Sequence, residues 1–173
     1  FFHITGDEPY RAGQRLDEVW LEALIGIDPG WLELPADSEE YRKLSSFQFL
    51  VKKYFAFLQT QFVTSGQKFI DLIPGNIVFS SDGNYQAIDQ EWTTCHPEFG
   101  VEEALFRGLF YFLMQNAAAL TTPGVGKLYS TTYRQLIEGI LLKTVDIDIN
   151  GLEQRVVQFE EQFQSHARSI VDG

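Results

Sequence analysis

Three oxygen-bearing side chains stand at measured intervals in the stretch Phe69–Trp92, FIDLIPGNIVFSSDGNYQAIDQEW: Asp71, Asn76 five positions later, and Asp89 thirteen positions after that. Two carboxylates and a carboxamide are the donor types used in magnesium-assisted phosphoryl transfer. One carboxylate orients or deprotonates the acceptor hydroxyl, while an amide carbonyl and the second carboxylate hold the metal beside the phosphates. The same residue types also make turns. Singly, Asp71 reads as a cap between helix and loop, Pro74-Gly75-Asn76 as a type II turn and Asp89 as a bend residue. The joint spacing, with a hairpin turn at Asp82-Gly83-Asn84 between the two halves, favours the site.

Other constellations carry less chemistry. Asp146-Ile147-Asp148-Ile149-Asn150-Gly151 opens like a calcium loop, but Val157 stands where a bidentate glutamate is required, so helix capping by Asn150 is the better reading. Cys95 and His96 are adjacent, with no second base or oxyanion loop in view, which argues against a cysteine nucleophile. His3 and His166 share no metal-ligand spacing with each other or with His96. They read as surface or packing residues. Arg107 sits four positions after Glu103, so an i,i+4 pair is expected there, with a bridge from Glu91 to Arg107 as the alternative.

The elements that would position the trio read as mostly helical. Leu16, Val19, Trp20, Ala23 and Leu24 recur at helical spacing and stop at Gly26. A connector containing Pro35 leads to Asp37 and Glu40, a capping-box spacing ahead of a long amphipathic run from about Ser38 to Thr64. The character then changes: Asn76–Ser80 and Tyr85–Ile88 are two short strands of a small β-hairpin. Val101–Leu120 is apolar nearly all round and should be a central buried helix. Tyr133–Leu142 forms another helix. The last runs from Asn150 to about Val171, with Leu152, Val156, Phe159, Phe163, His166 and Ile170 in one stripe. That stripe either packs as core or continues into a coiled coil with a partner.

Composition narrows the function classes. The 173 residues carry a formal net charge of −11 with a pI near 4.6, and Lys52-Lys53 and Arg42-Lys43 are isolated doublets. Binding to nucleic acid or an anionic membrane is therefore not expected. A single cysteine, Cys95, cannot form an internal disulfide, so a reducing, cytoplasmic setting is expected. The run Leu109–Met114 is too short for a membrane span. The opening FFHITGDEPY has no signal-peptide pattern, and the abrupt start suggests a piece of something longer.

Phe69-Ile70-Asp71-Leu72-Ile73-Pro74-Gly75-Asn76, followed by Ile88-Asp89-Gln90-Glu91, resembles the catalytic loop and metal-binding strand of the protein-kinase-like fold. The likeness is to its small-molecule branch of aminoglycoside, choline and lipopolysaccharide kinases, with the pattern H-G-D-L-x-P-G-N and then I-D-W-E. Upstream, Glu8-Pro9-Tyr10-Arg11-Ala12-Gly13-Gln14-Arg15-Leu16 resembles the hinge of that family, whose backbone hydrogen-bonds adenine. The resemblance covers roughly residues 5–145. It implies the C-terminal lobe of a kinase-like (α+β) fold, a mainly α unit with a small β-hairpin.

By the same resemblance, residues 1–149 form the helical lobe starting at the hinge, and residues 150–173 a C-terminal amphipathic helix. Glu8 and Tyr10 belong to the adenine pocket, Asp71 is catalytic, and Asn76 and Asp89 bind magnesium. ATP and Mg²⁺ are the implied cofactors, and a hydroxyl-bearing small molecule or glycan is the acceptor. Two departures matter. Phe69 replaces the family's histidine, and the Gly-rich loop, phosphate-binding lysine and partner glutamate belong to an N-terminal lobe expected before Phe1. No neighbouring fixed cation is visible, so this lobe alone is not expected to transfer a phosphoryl group. The chain is also similar to the kinase-like middle section of bacterial polysaccharide-modifying proteins that join a methyltransferase, a kinase-like domain and a coiled coil. The alternative is a pseudokinase or structural module attached to a methyltransferase or glycosyltransferase.

Overall fold

Apolar periodicity becomes helix wherever a run is long enough to bury one face. The computed structural model describes residues 2–4, 13–25, 39–90, 92–121 and 132–171. Most of these residues lie in α1 (Leu16–Leu24), α2 (Glu39–Thr64), α3 (Val101–Gln115), α4 (Ala117–Thr121), α5 (Tyr133–Val145) and α6 (Leu152–Val171). Short strands complete the fold. They are β1 (Phe2–Ile4), β2 (Gln14–Arg15), β3 (Lys68–Phe69), β4 (Ile77–Phe79), β5 (Tyr85–Ala87) and β6 (Trp92–Thr94). The protein is thus mainly α with a small antiparallel β component, the class its periodicity indicates.

Trp20 of α1 occupies the centre of the core. Its ring meets Phe47, Tyr54 and Phe112 edge-on, at centroid distances of 5.6, 5.3 and 5.2 Å, and thereby joins α1, α2 and α3. All four rings are buried. Each such burial stabilises the fold by about 1.5–3 kcal/mol, and each edge-to-face pair adds roughly 0.5–1.5 kcal/mol.

The expected hairpin is β4–β5, with Ile77 opposite Ala87 and Phe79 opposite Tyr85. Its turn is closed by Ser80 N–H to Asn84 O (3.0 Å) and Gly83 N–H to Ser80 O (2.9 Å). Each strand is shorter than its apolar run, and the β structure extends beyond the hairpin. β2 joins it to give the order β2-β4-β5, and a second sheet has the order β1-β6-β3. The capping-box residue Asp37 lies outside the described residues.

The central helix differs from the single span expected through Leu120. It ends at Asn116, whose side-chain amide donates to the Phe112 carbonyl at 2.9 Å, and α4 starts immediately afterwards. An asparagine that satisfies the helix's own carbonyl competes with continuation.

The stripe on α6 is core as far as Phe163. Leu152, Val156, Phe159 and Phe163 are buried, and the Phe159 ring stacks on Phe99 at 4.1 Å. Ile170, at the far end, is 46% exposed. Two ion pairs tie α6 to α3: Arg107 Nε to Glu160 Oε2 and Arg155 Nε to Glu103 Oε1, both at 2.8 Å. This corrects the expected Glu103–Arg107 pair. Each partner turns away along α3 to meet an opposite charge on α6, because that charge lies where the two helices bury each other. Asn150, expected to cap α6, donates its amide to Asp148 Oδ2 at 3.0 Å. Among the described residues, no helix is long and apolar enough to cross a membrane.

Candidate functional site

Asp71 lies two residues past the end of β3, and its neighbours are held by three different elements. Ile70 N–H donates to the Trp92 carbonyl at 2.9 Å, extending the β3–β6 pairing by one residue. Arg107 Nη1 of α3 donates to the Ile70 carbonyl at 2.6 Å. From α2, the Tyr54 hydroxyl donates to the Leu72 carbonyl at 2.5 Å. Asp71 is thus bracketed by two anchored carbonyls, and its own Oδ2 accepts the Trp92 N–H at 2.8 Å.

Glycine allows the Tyr54 anchor to exist. A Cβ placed on Gly108 of α3 would overlap the Tyr54 hydroxyl. Burial pushes the Tyr54 phenol well above its ordinary pKa, with nearby Arg107 opposing, so it stays a neutral donor.

Asn76 closes a 3₁₀ turn, Pro74–Asn76, in which its N–H donates to the Ile73 carbonyl at 2.9 Å. Its carbonyl then accepts the Ile88 N–H at 2.8 Å. Backbone pairing therefore sets Asn76 opposite the residue preceding Asp89. Asp89 is exposed and adopts φ 53°, a left-handed conformation uncommon for a residue with a side chain. Such a conformation persists only where the surrounding structure imposes it, and it recurs at functional sites.

The hairpin carrying Asp89 is also fixed from α2. Lys53 Nζ donates to the Gly83 carbonyl and lies over the Phe79 and Tyr85 rings, 5.4 and 5.3 Å from their centroids. The basic doublet that looked unremarkable in sequence thus includes a hairpin anchor.

β2, near the end of the hinge-like stretch, pairs with the hairpin strand β4. Arg15 pairs with Val78 in the ladder. A Cβ on Gly13 would overlap the Val78 side chain and approach the Phe79 carbonyl to 2.9 Å, so only glycine allows this strand so close. The Arg15 guanidinium, bonded to buried Asp17, lies 3.8 Å from the position a Gly75 Cβ would take. The Pro74–Asn76 turn therefore has a guanidinium beside it, paired with Asp17. Asp17 accounts for much of that charge.

No family model, curated protein or solved structure matches this chain.

Asp71, Asn76 and Asp89 are brought into one region by the cross-connections 71–92 and 76–88. Glu8, Tyr10 and Glu91 lie outside the described residues. Among the described residues, no group of three or more His, Cys, Asp and Glu side chains is arranged to hold a metal ion. Two carboxylates and an amide make a sparser, all-oxygen set, which suits magnesium because that ion retains several waters and takes few protein ligands.

A separate concavity of about 350 Å³ lies between α3, α5 and α6, and its lining includes none of the trio. Phe106, Ile137 and Val156 supply apolar walls, and Arg134–Glu153 and Arg107–Glu160 pair at 2.8 Å on its lining. Arg107 and Glu160 belong to its lining and, through Ile70, also to the Asp71 loop. Sequence spacing had no means of finding Tyr54, Arg15 or Glu160. Tyr54 bonds a backbone carbonyl eighteen residues away, Glu160 meets Arg107 fifty-three residues away, and Arg15 reaches the loop by strand pairing, none with a local motif.

Proposed function

We propose that this chain is the helical lobe of a protein-kinase-like phosphotransferase of the small-molecule and glycan branch, working as one lobe of a larger ATP- and magnesium-dependent enzyme. The observation that carries the reading is the double cross-connection of the two half-motifs. Asn76 O accepts from Ile88 N–H, and Asp71 Oδ2 accepts from Trp92 N–H, so both halves converge around the left-handed Asp89.

In this reading Asp71 orients the acceptor hydroxyl and takes its proton. The acceptor oxygen forms a bond to the γ-phosphorus as the bond to the leaving ADP oxygen breaks. Asn76 and Asp89 would hold magnesium, which when bound supplies charge neutralisation to the phosphate oxygens. The Leu72 and Ile70 carbonyls, tied to Tyr54 and Arg107, keep the Asp71 loop from relaxing as the charge changes. The nucleotide's adenine would lie against the hinge-like Glu8-Pro9-Tyr10, and the cytoplasm is the setting such a reaction needs.

ADP formation by the full-length protein, measured with Mg-ATP and a panel of sugars as acceptors, tests the assignment. Asp71→Asn should lower turnover by about 10²–10⁴-fold, the range for loss of a positioned proton acceptor. Undiminished turnover in Asp89→Ala would sink it.

One observation favours a second reading. Phe69, where the resembling family carries histidine, is partly buried against the core, so the loop lacks that side chain's hydrogen bonds. A nucleotide-independent pseudokinase or interaction module, attached to a methyltransferase or glycosyltransferase and using the exposed end of α6 toward a coiled-coil partner, is the consistent alternative.

A further inference from the structure

The last helix reaches the Asp71 loop by two separate routes. Arg107, 4% exposed, donates through Nη1 to the Ile70 carbonyl at 2.6 Å and through Nε to Glu160 of α6 at 2.8 Å. Its guanidinium also lies over the rings of Tyr111 and Phe163, at 4.6 and 5.6 Å. Glu160 is itself held in place, accepting from the Tyr111 hydroxyl at 2.6 Å and from Gln164 at 2.9 Å. The second route runs through Trp92, whose N–H donates to the Asp71 carboxylate. Its ring meets Phe163 edge-on at 5.3 Å and His166 at 6.3 Å.

Glu160, Phe163 and His166 follow one another at three-residue steps and share one face of α6. They touch Arg107 and Trp92, which in turn hold the residues flanking Asp71. Ile70 and Trp92 are bonded to each other, so both routes end on one pair of strands. Apolar packing alone would not need this arrangement. A buried guanidinium requires a matched charge as well as hydrogen-bond acceptors. The Ile70 carbonyl supplies only the latter, so Arg107 stays against the loop because Glu160 balances it there.

We propose that α6 is a positioning strut of the Asp71 site, acting through Glu160 on Arg107 and through Phe163 on Trp92, so that docking of this helix sets the orientation of the Asp71 carboxylate. The functional meaning rests on the reading of Asp71 given above. Arg107, Glu160 and Phe163 are positioning residues, and the effect of α6 reaches the site only through the Ile70–Trp92 pair.

Amide hydrogen exchange in the full-length protein, without nucleotide or acceptor, tests the strut. Glu160→Gln should speed exchange at the Trp92 and Ile70 amides by about tenfold or more while α2 amides stay as in the wild type. Phe163→Leu, which keeps an apolar side chain, should speed Trp92 more than Ile70. Glu153→Gln, which breaks only the Arg134 link from the same helix to α5, should leave both amides unchanged. Should Glu160→Gln fail to fold, the Phe163→Leu comparison decides the matter. Where turnover is measurable, Glu160→Gln should lower kcat with the KM for Mg-ATP unchanged. The proposal is overturned if these variants move the Trp92 amide no more than Glu153→Gln does, or loosen every helix equally. Missing ATP turnover would remove the phosphotransfer reading and leave the strut standing. Unmoved exchange beside Asp71-dependent turnover would remove the strut alone.

Discussion

Tyr54 shows how one buried hydroxyl can govern a loop. It is fully buried, sits opposite Gly108, and donates to the Leu72 carbonyl one residue past Asp71. Tyr54→Phe keeps the ring contacts with Trp20 and removes only that bond. It should therefore cost about 1–2 kcal/mol, mostly from leaving a buried carbonyl without its donor. Urea denaturation of wild type and variant would measure it, and an unchanged midpoint would mean that the hydroxyl does not anchor the loop. At this scale the proposed trio Asp71, Asn76 and Asp89 was visible in the sequence as a spacing, because that spacing is local and survives as a pattern. Tyr54 and Arg107 were not. A side chain bonded to a backbone carbonyl elsewhere in the chain leaves no trace in the identity of the residue it serves, and the i,i+4 rule offered Arg107 the nearer Glu103 when its partner is Glu160.

Among the elements, long helices were legible and short strands were not. The apolar periods of α1, α2, α5 and α6 have expected limits within a few residues of the observed ones, while α3 stops at Gln115 instead of running through Leu120. β2 and β3 have two residues each, too few to display a period-two alternation. They exist because partner strands and the glycine at position 13 allow close approach. The α3–α6 pair carries a pH dependence. Burial works to raise the pKa of Glu160, but the charge of Arg107 and hydrogen bonds from Arg107, Tyr111 and Gln164 outweigh it and hold the carboxyl below its ordinary value of 4.5. A carboxylate whose folded pKa is lowered contributes stability that is present above its unfolded pKa and lost as pH falls through its folded one. Docking of α6 should therefore weaken in acid below that ordinary value. Trp92 fluorescence reports it, since this ring meets Phe163 and His166. Glu160→Gln should flatten the acid limb of that titration. An identical acid limb in the variant would assign the transition to other carboxylates.

Across the whole molecule, a formal net charge of −11 accompanies ion pairs that join separate helices. Among the described residues, several cations with defined contacts hold structure: Lys53 the hairpin, Arg107 and Arg155 the last helix, while Arg15 pairs with Asp17 at the start of α1. Class and element order were readable from periodicity because burying an apolar stripe is a requirement of every helix. The convergence of the two half-motifs was not, since it depends on which strands pair. The proposed magnesium-nucleotide site depends on this convergence. Calorimetric titration of the full-length protein with Mg-ATP, beside Asp89→Ala under the same conditions, tests it most directly. Saturable heat in the wild type that is lost or weakened at least about tenfold in Asp89→Ala, a change of some 1.4 kcal/mol, is the predicted result. Absence of heat in the wild type, or equal binding by both proteins, would contradict it.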